Sequence, residues 1–231
     1  MNPPQALLRR RASVVPGLAL VFVIAFAGTA SADKTLGTTT PPSGASTLPC
    51  TTNEVIFQVT SDPSLPYTVS GAGKITQWQT YAATDTPGSP INLVVLKPVG
   101  GSFTVVGVDA RNIPNPAPTV ATYSLATPIP VTGGETFGFY SPMGGVLCAF
   151  QGGATPAAGR LGQLAAPSPP ATGQTLNRAA PDSASGFAMN LAANFVPTLT
   201  GRRAAALKKC KKKRSKTARR KCRRKAKRLP L

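Results

Sequence analysis

A chain of 231 residues with 26 Lys or Arg, 7 Asp or Glu and no histidine carries a formal charge of +19. The missing histidine excludes a Ser-His-Asp triad, a Cys-His pair and a histidine-built metal site, and with them most secreted hydrolase mechanisms. The charge is also unevenly placed: residues 202–228 hold 17 Lys or Arg and no acid, whereas residues 33–201 hold 6 basic and 7 acidic residues. Such a split predicts two modules, a body that folds by burying apolar surface and a tail that meets polyanions through Coulomb attraction.

In chain order, Arg9, Arg10 and Arg11 precede an apolar stretch at 18–27, and Ala30-Ser31-Ala32 supplies a small-x-small cleavage pattern. Residues 1–32 therefore read as a secretory signal peptide cut before Asp33. The stretch is shorter than the roughly 20 apolar residues of a membrane span. Ala12-Ser13-Val14 after the arginines lacks the rest of a twin-arginine pattern, so general secretion is expected, with the product extracellular or associated with the cell envelope. Export makes the four cysteines candidates for disulfides. Pairing within modules, Cys50 with Cys148 and Cys210 with Cys222, is the expectation; free or intermolecular thiols are the alternative.

Residues 33–49 form a Thr/Pro/Gly/Ser linker, and the body spans 50–200. Within it, β-prone runs at 54–60, 67–70, 74–82, 91–97, 103–109, 120–125, 136–140, 146–150 and 186–196 are separated by Gly and Pro. About nine short strands with no helical period between them predict an all-β sandwich or barrel. In the last run Phe187, Met189, Leu191, Ala193 and Phe195 alternate with smaller or polar residues, which sends one face to a core. Residues 151–185, rich in Ala, Gly and Pro and without a clear strand, read as a long mobile loop.

Three segments carry a resemblance: Gly73-Lys74-Ile75-Thr76-Gln77-Trp78, Leu93-Val94-Val95-Leu96-Lys97-Pro98, and Ile129-Pro130-Val131-Thr132-Gly133-Gly134-Glu135-Thr136-Phe137-Gly138. Together with the two-cysteine basic tail ending Leu229-Pro230-Leu231, they resemble a largely uncharacterised family of secreted actinobacterial proteins. The resemblance implies a jelly-roll-like antiparallel β-sandwich followed by a Lys/Arg-rich tail, and it implies no particular chemistry.

Acid-based chemistry has few candidates. Glu54, Asp62, Asp85, Asp109 and Glu135 are the carboxylates open to a glycoside hydrolase, or at Asp109 or Glu135 to calcium, but they fall at strand ends and in turns where Asp serves local hydrogen bonds. Lys74 and Lys97, the lysines of the strand runs, are expected at an edge facing water rather than in a Ser-Lys dyad. Trp78 is expected in the core; the alternative is a carbohydrate-stacking platform formed by Trp78 or by Tyr67, Tyr81, Tyr123 or Tyr140. No cofactor or metal is expected.

The tail, 201–231, reads as a disulfide-stapled pair of short helices or as a disordered segment. Ala206, Leu207 and Cys210 fall at helical spacing before the turn, and Ala218, Cys222, Ala226 and Leu229 after it, with Ser215 and Thr217 as N-cap candidates. Lys208, Lys209, Lys211, Lys212, Lys213, Arg214, Lys216, Arg219, Arg220, Lys221, Arg223 and Arg224 form the expected polyanion-binding set. The expected partners are anionic envelope polymers or polysaccharide, with anionic lipid or nucleic acid bound non-specifically. A solvated solubility tail and a sorting segment removed by a protease are the alternatives. The whole reads as a non-enzymatic secreted surface protein, against two rivals, a carbohydrate-binding lectin-like module and a carboxylate-dependent glycoside hydrolase.

Overall fold

The computed structural model describes residues 33–60, 63, 65–198 and 201–229. The expected signal peptide, Asp62 and the final Pro230-Leu231 lie outside the described residues. Among the described residues fourteen strands form: β1 Lys34–Thr38, β2 Ser46–Pro49, β3 Glu54–Thr60, β4 Gly73–Tyr81, β5 Pro90–Val99, β6 Ser102–Asn112 and β7 Val120–Val131 in the first half. The second half contributes β8 Thr136–Tyr140, β9 Leu147–Gln151, β10 Arg160–Ala165, β11 Thr175–Leu176, β12 Arg178–Ala180, β13 Phe187–Met189 and β14 Leu191–Pro197. Two helices follow, α1 Gly201–Lys211 and α2 Lys216–Lys227. The architecture is the expected antiparallel β-sandwich with a short helical tail.

The strands make a four-stranded sheet (β1-β14-β4-β7), a three-stranded sheet (β13-β9-β2) and a seven-stranded sheet (β11-β6-β5-β8-β3-β10-β12). Between the layers lies one core of Ile56, Leu93, Val95, Phe137 and Phe139 from the seven-stranded sheet against Ile75, Trp78, Met189, Leu191 and Phe195. A second core of Val55, Phe57, Val94, Leu96, Phe103, Val105 and Leu176 sits on the other face of the seven-stranded sheet. Because side chains alternate along a strand, Leu93 and Val95 serve one core while Val94 and Leu96 serve the other. The unbroken apolar run of β5 follows from burial on both faces.

The second core exists because the large sheet curls. β11 pairs with β6 at one end of the order and β12 pairs with β10 at the other, yet only Asn177 separates β11 from β12. Residues 175–180 therefore stitch the two edges together and close the sheet on itself. The Phe57 and Phe103 rings consequently approach to 4.6 Å, and the Arg178 guanidinium lies over both, 5.1 and 5.3 Å from their centroids. Arg178 is held from its other side by Asp182.

Two expectations are corrected here. The presumed linker contains β1 and β2, which pair with β14 and β9. The presumed strand-free loop at 151–185 contains β10, β11 and β12, and β10 pairs along the whole of β3. Its small residues mark close packing rather than freedom: a Cβ at Gly162 would stand 2.5 Å from the Phe57 ring, and one at Gly159 would stand 1.8 Å from the Phe187 carbonyl oxygen. The run 67–70 contributes only a bridge, Thr68 to Thr136.

The last β-prone run divides at Asn190, pairing with β9 before it and with β1 and β4 after it. The fully buried Asn190 amide satisfies the backbone at this crossing. Its Nδ2 donates to Thr80 Oγ1, Tyr81 O and Leu147 O, and its Oδ1 accepts from the Tyr81 N–H at 2.8 Å. Gln58 does the same one strand away, accepting from the Met189 N–H and donating to the carbonyls of Thr60 and Phe187. The pairing Cys50–Cys148 forms beside this corner, joining residues 98 apart in sequence. Replacing Asn190 by Ala strands three backbone groups in a dry environment and is expected to lower stability by roughly 3 kcal/mol. Urea unfolding of the oxidised chain measures this, and a loss below about 1 kcal/mol would contradict the role assigned to the amide.

Candidate polyanion-binding site

Neither tail helix would be stable alone. Each has about three turns, near the lower limit for helices in water, and α2 sets Lys216, Arg220, Arg224 and Arg228 four apart, where like charges repel. Three local features offset this. Ser215 caps α2, its Oγ accepting from the Ala218 N–H at 3.1 Å. Lys208, Lys209 and Lys211 end α1, and Arg224, Lys225 and Lys227 end α2, where cations complement the helix dipole. The pairing Cys210–Cys222, across a separation of 12 residues, closes the hairpin and contributes roughly 3 kcal/mol.

The helices meet along matching stripes. Arg203, Ala206, Leu207 and Cys210 on α1, and Arg219, Cys222, Arg223 and Ala226 on α2, are buried or half-buried, each stripe following the spacing i, i+3, i+4, i+7. The expected stripe on α2 is thus displaced: Ala218 and Leu229 are exposed, and two arginines take their places. The Nε atoms of Arg203 and Arg219 are buried without a hydrogen-bond partner. Since α2 offers only Cys222 and Ala226 to Leu207 and its neighbours, the long arginine stems fill the rest of the interface.

This inward turn sorts the expected binding set. Arg219 and Arg223, expected as polyanion contacts, are half-buried on the stripe that meets α1. Lys208, Lys209, Lys211, Lys212, Lys213 and Arg214 are exposed around the end of α1 and the turn. Lys216, Arg220, Lys221 and Arg224 come together on the outer side of α2, where they line a groove of about 580 Å³ with Thr217, Lys225 and Arg228. Lys225 and Arg228 were not in the expected set, although their four-residue spacing from Lys221 and Arg224 carries the signal. Residues 202–228 contain no acid to neutralise any of these cations.

Several of the body's charged groups are, by contrast, committed to partners within the fold. Glu135 is buried in the turn before β8 and accepts from the Thr132 N–H, the Thr132 hydroxyl and the Gly133 N–H at 3.0, 2.7 and 2.7 Å. Lys97 completes the cluster at 3.1 Å, so it is an ion-pair partner and not the free edge lysine expected; Lys74 is exposed. Burial pushes the Glu135 carboxyl up, but the hydrogen bonds from Thr132, the local backbone and Lys97 outweigh it and hold the pKa at about 2. Asp109 accepts from Trp78 Nε1 at 2.7 Å and from Arg111 Nε at 2.9 Å, joining the two layers of the sandwich. Asp85 is buried, with one oxygen accepting from the Leu147 N–H and the other without a partner, and burial raises its pKa.

Trp78 is fully buried, its ring 4.3 Å from that of Tyr123, and Tyr67 and Tyr140 are buried as well. These rings offer no face to a sugar, which removes Trp78 as a stacking platform. Nor do Glu54, Asp109 and Glu135 form a catalytic pair. The registers place Glu135 about 20 Å along the strands from Glu54 and about 14 Å from Asp109, beyond the roughly 5–9.5 Å that glycoside hydrolysis uses. Glu54 and Asp109 are separated by two intervening strands, β8 and β5. Among the described residues no group of three or more metal-ligating side chains is found.

No family model matches the chain, and neither a curated protein nor a solved structure matches it. The two disulfides point to a non-cytoplasmic, oxidising location. No helix among the described residues is long and apolar enough to cross a membrane.

Reducing the chain is expected to melt α1 and α2, seen as loss of the helical circular-dichroism signal near 222 nm; helicity that persists with Cys210 and Cys222 reduced would show that packing alone suffices. Glu135 contributes stability that is present above its ordinary pKa of 4.5 and lost as pH falls through about 2. Glu135→Gln is therefore expected to cost about 3 kcal/mol at pH 7 and little at pH 2. Urea titrations at the two pH values test this, and an equal loss at both would refute it.

Proposed function

We propose that this is a secreted, non-enzymatic surface protein whose β-sandwich is held at the cell envelope by electrostatic binding of its C-terminal hairpin to anionic polymer. One observation carries the reading: six cations, Lys216, Arg220, Lys221, Arg224, Lys225 and Arg228, converge on one groove in a tail that contains no acid. A covalently closed cationic hairpin keeps these charges together where a disordered tail would disperse them, and in doing so raises the local potential felt by a polyanion. Export is supported by the leader pattern and by both disulfides, and the motif resemblance to secreted actinobacterial proteins supports the same address.

A second reading, a lectin-like body, draws support from polar side chains rather than from an exposed aromatic face. On the four-stranded sheet Asp33, Thr35, Gln77, Gln79 and Asn194 surround a depression of about 220 Å³, with Trp78, whose side chain is fully buried, among the residues beneath it. Amides that both donate and accept suit a hydroxyl-rich neutral chain. This would give the body its own ligand while the tail supplies retention.

Binding of the mature chain, and of a chain ending at Gly201, to isolated envelopes across a salt series separates the readings. With 6 to 10 charges neutralised, affinity for a flexible polyanion is expected to fall about 10²- to 10⁴-fold between 50 and 200 mM salt, and only for the full chain. Equal binding by both chains would overturn the tether and move the lectin-like reading to first place.

A further inference from the structure

Beyond its charge, α2 has a pattern. Residues 217–228 are three consecutive tetrads, Thr217-Ala218-Arg219-Arg220, Lys221-Cys222-Arg223-Arg224 and Lys225-Ala226-Lys227-Arg228. The first and fourth residues of every tetrad line the groove. The middle residues Arg219, Cys222, Arg223 and Ala226 form the stripe against α1. The groove is thus a ladder of three rungs, Thr217 with Arg220, Lys221 with Arg224 and Lys225 with Arg228, repeated about every 6 Å along the helix. Diffuse attraction requires only net charge; it does not require a rung.

We infer that this ladder binds a linear polymer of phosphodiester units joined by short polyols, one phosphate to a rung. The inference rests on the tether reading above and specifies its ligand. A phosphodiester carries one charge on two non-bridging oxygens directed to different sides. One oxygen meets the arginine row at 220, 224 and 228, whose guanidinium N–H groups give it charge-assisted hydrogen bonds. The other meets the row of Thr217, Lys221 and Lys225, which supplies a hydroxyl and two ammonium groups. A carboxylate directs both oxygens outward in one plane and engages a single row.

Two further observations separate this polymer from nucleic acid. Four residues exceed one helical turn by about 40°, so the rungs wind across the helix surface, and a chain that follows them must be torsionally soft. A stiff duplex does not bend on that scale without cost. Single-stranded nucleic acid is flexible, but its recognition relies on aromatic platforms for the bases, and residues 201–231 contain no Phe, Tyr or Trp.

The test uses the full oxidised chain, with a poly(glycerol phosphate) oligomer as probe and with an oligogalacturonate and a single-stranded oligonucleotide of equal charge as comparisons. Affinity for the phosphodiester oligomer is expected to exceed that for the other two by about tenfold, one rung's worth of matched contacts. In Arg220→Gln/Arg224→Gln/Arg228→Gln the slope of log affinity against log salt is expected to fall by roughly 2, since each phosphate contact on a single strand contributes about 0.7. Removing the same number of charges from the turn, in Lys211→Gln/Lys212→Gln/Lys213→Gln, is expected to lower the slope by less than half as much. Circular dichroism near 222 nm confirms that each triple variant keeps its helices; should the first lose them, Arg220→Lys/Arg224→Lys/Arg228→Lys, which keeps the charge, must still lose the preference for phosphodiester over carboxylate. Equal slope changes in the two triples, or equal affinity for the three polymers, overturns the ladder while leaving the electrostatic tether intact. Absence of salt-dependent binding to any of them overturns both.

Discussion

One strand belonging to two sheets is the constraint on which this fold depends. Phe187–Met189 pairs with β9, and Leu191–Pro197 pairs with β1 and β4, so the chain must leave one hydrogen-bond ladder and enter another within a single residue. A buried backbone group without a partner is costly, and the ladders themselves cannot serve both sides of the crossing. The side-chain amide of Asn190 is the group that does, with donors and acceptor directed into the gap. The Cys50–Cys148 bridge and the Gln58 amide surround the same corner, which concentrates covalent and polar restraint where the sheets join. From that corner the core between the layers follows.

Much of this was legible in the sequence, and the failures have physical causes. Runs rich in Val, Ile, Phe and Tyr became strands: 54–60 and 136–140 coincide with β3 and β8, and 74–82 and 91–97 differ from β4 and β5 by a few residues. Both cysteine pairings within modules form. The misses are segments of Ala, Gly, Thr and Pro, which carry little intrinsic preference for a strand. Residues 160–165 and 175–180 become strands because neighbouring edges need partners and because small residues let the backbone approach Phe57 and Phe187. The unbroken apolar run Leu93-Val94-Val95-Leu96 is buried on both faces, and Leu164, Ala166 and Leu176 of the Ala/Gly/Pro-rich segment help to cover the second. In the tail, apolar periodicity pointed to helices but misjudged the inner face of α2, since arginine stems can do the work of apolar side chains.

The two modules settle electrostatics in opposite ways. In the body three ion pairs form, Glu135 with Lys97, Asp109 with Arg111 and Asp182 with Arg178, and Asp109 also accepts from Trp78. These contacts fix a turn, a junction of layers and the end of the second core. In the hairpin nothing internal answers the cations, and a disulfide with one good helix cap holds together what charge would separate. The repulsion left inside α2 is energy that, under the proposed tether, an anionic ligand would recover on binding.

The closed sheet has a consequence wherever copies of this chain are crowded together. A strand at the edge of an open sheet exposes unpaired N–H and C=O groups that recruit a strand from the next molecule, and crowding makes such encounters frequent. Here the stitch at 175–180 leaves the largest sheet with no long free edge. The two sides of the four-stranded sheet are also poor templates, because β1 has only five residues and begins at Lys34, while β7 carries Pro128 and Pro130. Closely packed copies are thereby guarded against fusing into fibrils, because neither large sheet offers a neighbour a long edge to extend.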